Sequence, residues 1–97
     1  MRYYLKFLLI GCLVIHVTTH AQEILSTKSK KAKEYYLASD NFRVRGQLDQ
    51  AIDLLKKAID KDPKFEEAYF RLALSYRSAS NLKAASEMLE KGLTLIN

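Results

Sequence analysis

The chain has one cysteine, two histidines, one proline and no tryptophan among its 97 residues, and the first two of these scarce types are confined to one end. Cys12, His16 and His20 all precede Ala21. Beyond Ala21 there is neither thiol nor imidazole. That part of the chain therefore cannot form a disulfide, cannot build the Cys and His sets that zinc prefers, and lacks the usual neutral-pH general base. Only carboxylates, hydroxyls, lysines and tyrosines remain as bases or nucleophiles. A long apolar run is also missing. The thirteen residues from Leu5 to Val17 fall short of the roughly 20 needed to cross a bilayer core. Nor does the chain beyond Ala21 alternate apolar and polar residues over a useful length, which argues against strands and leaves helix.

What is present at the start is a leader-like pattern. Arg2 and Lys6 precede the apolar stretch Phe7 to Val17, and Thr19-His20-Ala21 closes it with small residues at the positions a signal peptidase reads. A secretory signal peptide over 1–21, cut after Ala21 to leave Gln22 first, is the expectation. It places the mature chain in the periplasm or cell envelope. Leu9-Ile10-Gly11-Cys12 resembles a lipoprotein box, so lipidation of Cys12 is the alternative. Against it, only four apolar residues separate Lys6 from Gly11, and the apolar run continues past the cysteine. Loss of Arg2 and Lys6 would leave 14 basic against 11 acidic residues, a net charge of +3 in place of +5, ordinary for a soluble surface.

The rest of the chain repeats itself at a spacing of 34 residues. Tyr35 returns as Tyr69, Tyr36 as Phe70, Phe42 as Tyr76, Arg43 as Arg77, Leu48 as Leu82, Ala51 as Ala85, Leu55 as Leu89 and Lys57 as Lys91. Large, small and aromatic residues recurring in phase at this period mark a stacked array of helix pairs. Three-and-four spacing of apolar residues predicts four helices, over 28–45, 48–61, 64–79 and 82–95. Residues 22–27 read as a linker whose Ser26 and Thr27 supply capping chemistry. Gly46 supplies the left-handed residue that ends the first helix, Asp62-Pro63 breaks the second, with Pro63 suited to open the third, and Ser80-Asn81 turns the third into the fourth.

The residues at fixed offsets, Tyr35, Phe42, Ala51, Leu55 and Pro63, then Tyr69, Tyr76, Ala85 and Leu89, resemble the tetratricopeptide repeat family. The likeness covers 32–97, with repeats at about 32–65 and 66–97. It implies an all-α fold, an α–α superhelix of two helix-turn-helix hairpins with four antiparallel helices. Ala51, Ala58, Ala85 and Gly92 are the small residues that let helices approach, and Phe42 and Tyr76 fill the adjoining grooves. A mid-helix glycine costs roughly 1 kcal/mol relative to alanine, so Gly92 should loosen the last helix.

The resemblance also implies a concave groove lined by the first helix of each repeat, which receives a peptide or partner helix. Mapped onto this sequence, its residues are Lys33, Tyr36, Asp40, Arg43 and Val44, with Glu67, Phe70, Leu74, Arg77 and Ser78. Tyr36, Phe70 and Leu74 would anchor apolar side chains, and Arg43 and Arg77 would fork carboxylates. For the aromatics, the alternative is packing against a neighbouring helix. Asp40 and Leu74 stand where asparagines would be needed to clamp acidic chaperone tails, so that activity is not expected. Leu89, Leu93 and Ile96 face an open end where another repeat or a capping helix would sit.

The expected function is an exported, non-catalytic protein-binding scaffold whose partner is a protein or peptide, with no cofactor, no nucleic acid and no membrane span in the mature chain. The alternative is a structural piece, either a self-associating subunit or the start of a larger envelope protein. Lys28, Lys30, Lys31 and Lys33 read as a solvated first turn rather than a nucleic-acid patch. Glu66, Glu67, Asp60 and Asp62 lack the shaped, dry pocket that acid–base catalysis requires, and suit a helix start instead.

Overall fold

The computed structural model describes residues 24–96; the expected leader, its expected cut after Ala21 and the lipidation alternative at Cys12 lie outside the described residues. Among the described residues four helices follow one another: α1 (Lys30–Val44), α2 (Leu48–Lys61), α3 (Glu66–Ser78) and α4 (Leu82–Ile96). Each packs on its chain neighbour, so α1 with α2 and α3 with α4 form hairpins, and α2 against α3 joins them. This is the all-α, two-hairpin superhelix that the period implies.

The two hairpins close in the same way. Gln47 N–H donates to Phe42 O at 2.8 Å and Gly46 N–H to Arg43 O at 3.0 Å; one period later Asn81 N–H donates to Tyr76 O at 2.8 Å and Ser80 N–H to Arg77 O at 2.9 Å. Both are Schellman closures, which need a left-handed residue just past the helix. Gly46 takes φ 77° without strain, whereas Ser80 holds φ 63° with a side chain attached.

Two helix starts differ from the sequence expectation, each for a visible reason. The cap of α1 is Ser29, whose Oγ accepts from Ala32 N–H at 3.1 Å, not Ser26 or Thr27. Those two reach across the chain instead: Ser26 donates from its backbone and its hydroxyl to the Glu67 carboxylate at 2.6 and 2.5 Å, and Thr27 donates to Asp62 at 2.5 Å. Leu25, which precedes them, packs against the core. At the other site, α3 begins at Glu66 rather than 64, and Pro63 lies in the preceding turn. Asp62 Oδ1 accepts from Lys64 N–H at 3.0 Å, a local turn that competes with helix. Phe65 is the N-cap, outside the helical region with φ −77° and ψ 86°.

That capping residue is the keystone of the interior. Phe65 is fully buried, and its ring meets the equally buried Tyr36 at 5.0 Å between centroids and 45° between planes. Around them lie Ala32, Ile52, Leu55, Ala58, Ala68 and Leu72, with Tyr35, Ile59, Tyr76 and Met88 packed at the edge. Fully covering side chains such as Leu55, Phe65 and Leu72 contributes roughly 1.5–3 kcal/mol each. Phe42 is half-buried, Tyr76 packs on the core, and the hairpins share one continuous interior.

Candidate protein-docking surface

Helical geometry brings residues spaced by four, three and four onto one stripe. On α1 this stripe is Lys33, Leu37, Asp40 and Val44; on α3 it is Glu67, Arg71, Leu74 and Ser78. A direct ion pair ties the two together. Arg71 Nη1 donates to Asp40 Oδ2 at 2.7 Å, while Arg43 approaches the other oxygen of the same carboxylate at 3.4 Å. The Arg71 guanidinium also lies 4.3 Å above the Tyr36 ring, an attraction that strengthens as water is excluded. A polar clasp therefore sits at the middle of the face. On either side of it Leu37, Val44 and Leu74 are 48%, 72% and 50% exposed.

Most of the residues mapped from sequence reach this surface, but in different states. Lys33 and Arg77 are exposed, Asp40 and Arg43 are half-buried in the clasp, and Glu67 already accepts from Ser26. Tyr36 requires a correction, because at 1% exposure it belongs to the core and cannot anchor a partner. Its position falls where α3 lies over the first hairpin, so Phe65 and Arg71 close it off. Phe70, one period on, has no further helix over it among the described residues and stays half-open. Its ring rests on Gly92, where an added Cβ would come within 2.9 Å of Phe70 Cε1. The missing side chain of Gly92 is thus a seat for an aromatic. Leu37 and Arg71 were not among the mapped residues, although their four-three spacing with Lys33, Asp40, Glu67 and Leu74 is readable in the sequence.

At the end of the molecule beyond α3 and α4, Phe70, Ala73, Leu74, Arg77, Ala85 and Leu89 line an apolar recess of about 250 Å³. Leu89, Leu93 and Ile96 are 46%, 52% and 58% exposed there, and Leu82 joins them at 68%. Arg77 makes no ion pair among the described residues, because Leu74 occupies the place that Asp40 holds beside Arg43.

Among the described residues there is no cluster of three His, Cys, Asp or Glu side chains able to hold a metal. No helix there is long and apolar enough to cross a membrane. Tyr69 has its phenol raised above the ordinary value of 10.0 by burial and then by the charge of Asp62. Its hydroxyl donates to Pro63 O at 2.8 Å, pinning the turn before α3.

Stacked hairpins that present a ridged, partly apolar face and an apolar end define a helical repeat scaffold, a class that recognises other macromolecules through extended surfaces. Comparison with known proteins narrows the class. A family model described as TPR repeat matches residues 40–78, and one described as Tetratricopeptide repeat matches 66–97. An uncharacterized protein of Methanocaldococcus jannaschii is 30% identical over 66 residues, which is 68% of this chain and 77% of that protein. The chain belongs to the tetratricopeptide repeat family, and its repeats make it a protein–protein interaction module.

Proposed function

We propose that this module is exported to the cell envelope, where it acts without catalysis by receiving a peptide or helix of an envelope protein on the face shared by α1 and α3. The observation that carries the reading is the grouping of Leu37, Val44 and Leu74, all at least 48% exposed, around the Asp40–Arg71 clasp. Solvated apolar side chains beside fixed charges suit a partner that brings both. Lys33 and Arg77 at the margins would favour a partner with carboxylates.

Site-specific photo-crosslinking in cells tests the docking face. A crosslinker at Leu37 or Leu74 should capture one envelope protein, and a crosslinker at the exposed Lys57 on α2 should not. Equal capture from both faces, or from neither, would refute the groove. Export has its own test: a mature N-terminus at Gln22 in the envelope fraction is expected, and an intact Met1 chain that stays in the cytosol would remove that part.

A further inference from the structure

We propose that the apolar end of the molecule is a self-association surface, on which α4 pairs with α4 of a second copy in antiparallel, two-fold fashion. This face lies apart from the α1–α3 docking face except at Leu74 and the marginal Arg77, and the inference does not depend on the groove reading.

The internal repeat shows what such a surface does when it is covered. Moving the recess residues back by one period gives Tyr36, Ser39, Asp40, Arg43, Ala51 and Leu55. Four of these, Tyr36, Ser39, Ala51 and Leu55, are at most 1% exposed, beside a core that α3 and its N-cap complete with Phe65, Ala68 and Leu72. The second hairpin presents the same kind of surface with nothing described on it.

A second copy has two candidate faces with which to cover it. One is the outer face of α1, the counterpart of the covering face of α3. That face carries Lys31 and Glu34 where the second repeat has Phe65, the N-cap of α3, and Ala68, and Lys31 and Glu34 form a solvated ion pair at 3.7 Å. Head-to-tail stacking would bury that pair at the apolar contact, which is costly. An open filament of the kind such contacts generate is thereby disfavoured.

The other candidate is α4 itself. Leu82, Ser86, Leu89, Leu93 and Ile96 follow one another at intervals of four, three, four and three, the seam spacing of paired helices. All five are exposed, while Ala85 and Gly92 turn inward and are buried. Lys83 and Glu90 flank this seam on the side away from those inward residues. In an antiparallel pair the same flank of each helix meets, so Lys83 of one copy faces Glu90 of the other, twice about the two-fold axis. The matching register sets Leu82 opposite Leu93 of the partner and Leu89 opposite its Ser86. A parallel pair would set this flank against Ala85 and Gly92, with no charge to match. Opposite charges at flanking positions are what select orientation and register in paired helices.

Sedimentation of the purified protein across a dilution series tests this, with circular dichroism to confirm that each variant folds. The expected result is a dimer that dissociates on dilution and is abolished by Leu89→Glu or, independently, Leu93→Glu. Lys83→Glu and Glu90→Lys should each weaken it about tenfold, and the double swap should restore it. A monomer at every concentration would overturn the proposal. So would association that survives Leu89→Glu and Leu93→Glu, or charge reversals that change nothing while the leucine variants dissociate the dimer.

Discussion

The two hairpins start from nearly the same pattern and end in different physical situations. In the first, Tyr36 is sealed beneath Phe65 and Arg71, and Asp40 holds two arginines. In the second, Phe70 lies half-open on Gly92, Leu74 replaces the carboxylate, and Arg77 is left without a partner among the described residues. A repeat position therefore has no fixed role of its own. Its neighbour decides whether the same aromatic is core or surface, and one substitution turns a charged clasp into an apolar patch.

Substitutions at matched positions can break or sharpen this contrast. The largest effect should come from Phe65→Ala, which removes the fully buried ring that covers Tyr36. A loss of about 3–5 kcal/mol is expected from chemical denaturation, close to the whole stability of a domain this small. A loss under about 1 kcal/mol would mean that the hairpins do not depend on each other.

Next comes the clasp. Asp40→Ala removes the 2.7 Å carboxylate contact of the mostly covered Arg71 and should cost about 1–3 kcal/mol. The matched change Leu74→Asp, at a half-exposed site, gives Arg77 the partner that Arg43 has. It should alter stability by no more than about 0.5 kcal/mol. Similar effects for the two would erase the distinction between a covered and an uncovered repeat.

Tyr69→Phe should cost about 1 kcal/mol through loss of the bond to Pro63. It should also change the alkaline limb of stability. Because the folded state raises the phenol above 10.0, it retains the proton more strongly than the unfolded chain. That contribution is complete below pH 10 and is lost as pH climbs through the raised value. Unfolding followed from pH 8 to 12 should show a shallower alkaline decline in the phenylalanine variant than in the parent. An unchanged slope would remove Tyr69 as its source.

The smallest effects belong to the turns. Ser80→Gly relieves a left-handed serine and should stabilise by about 0.5–1 kcal/mol, whereas Gly46→Ser should destabilise by a similar amount. The second turn carries one compensation that the first lacks: Asn81 Oδ1 accepts from Ala84 N–H at 3.2 Å, and Gln47 makes no such cap. Thermal unfolding of the two reciprocal variants compares them directly.

Much of this architecture was legible in the sequence because one period repeats the physics. The limits of α2, the left-handed glycine and the all-helical fold follow from spacing and turn chemistry alone. Phe65 was not legible, since its periodic counterpart is Lys31 and it sits outside the helix whose spacing would have marked it. The start of α3 was misplaced for a related reason, as the Asp62 side chain forms a local turn that proline statistics do not register. Tyr36 was assigned to the groove from its place within the repeat, but its burial depends on the following helix. Gly92 reads in the sequence as a mid-helix weakness, and its seating of the Phe70 ring is visible only once α3 and α4 are packed together.

Native-state amide hydrogen exchange, at a concentration where the chain is monomeric, tests most directly whether the two hairpins form one scaffold closed at one side and open at the other. The account predicts the slowest exchange in α2, which is covered by both α1 and α3, comparable protection in α3, and faster exchange in α4. Protection in α4 equal to or above that in α2, or two hairpins opening independently with unrelated free energies, would contradict it.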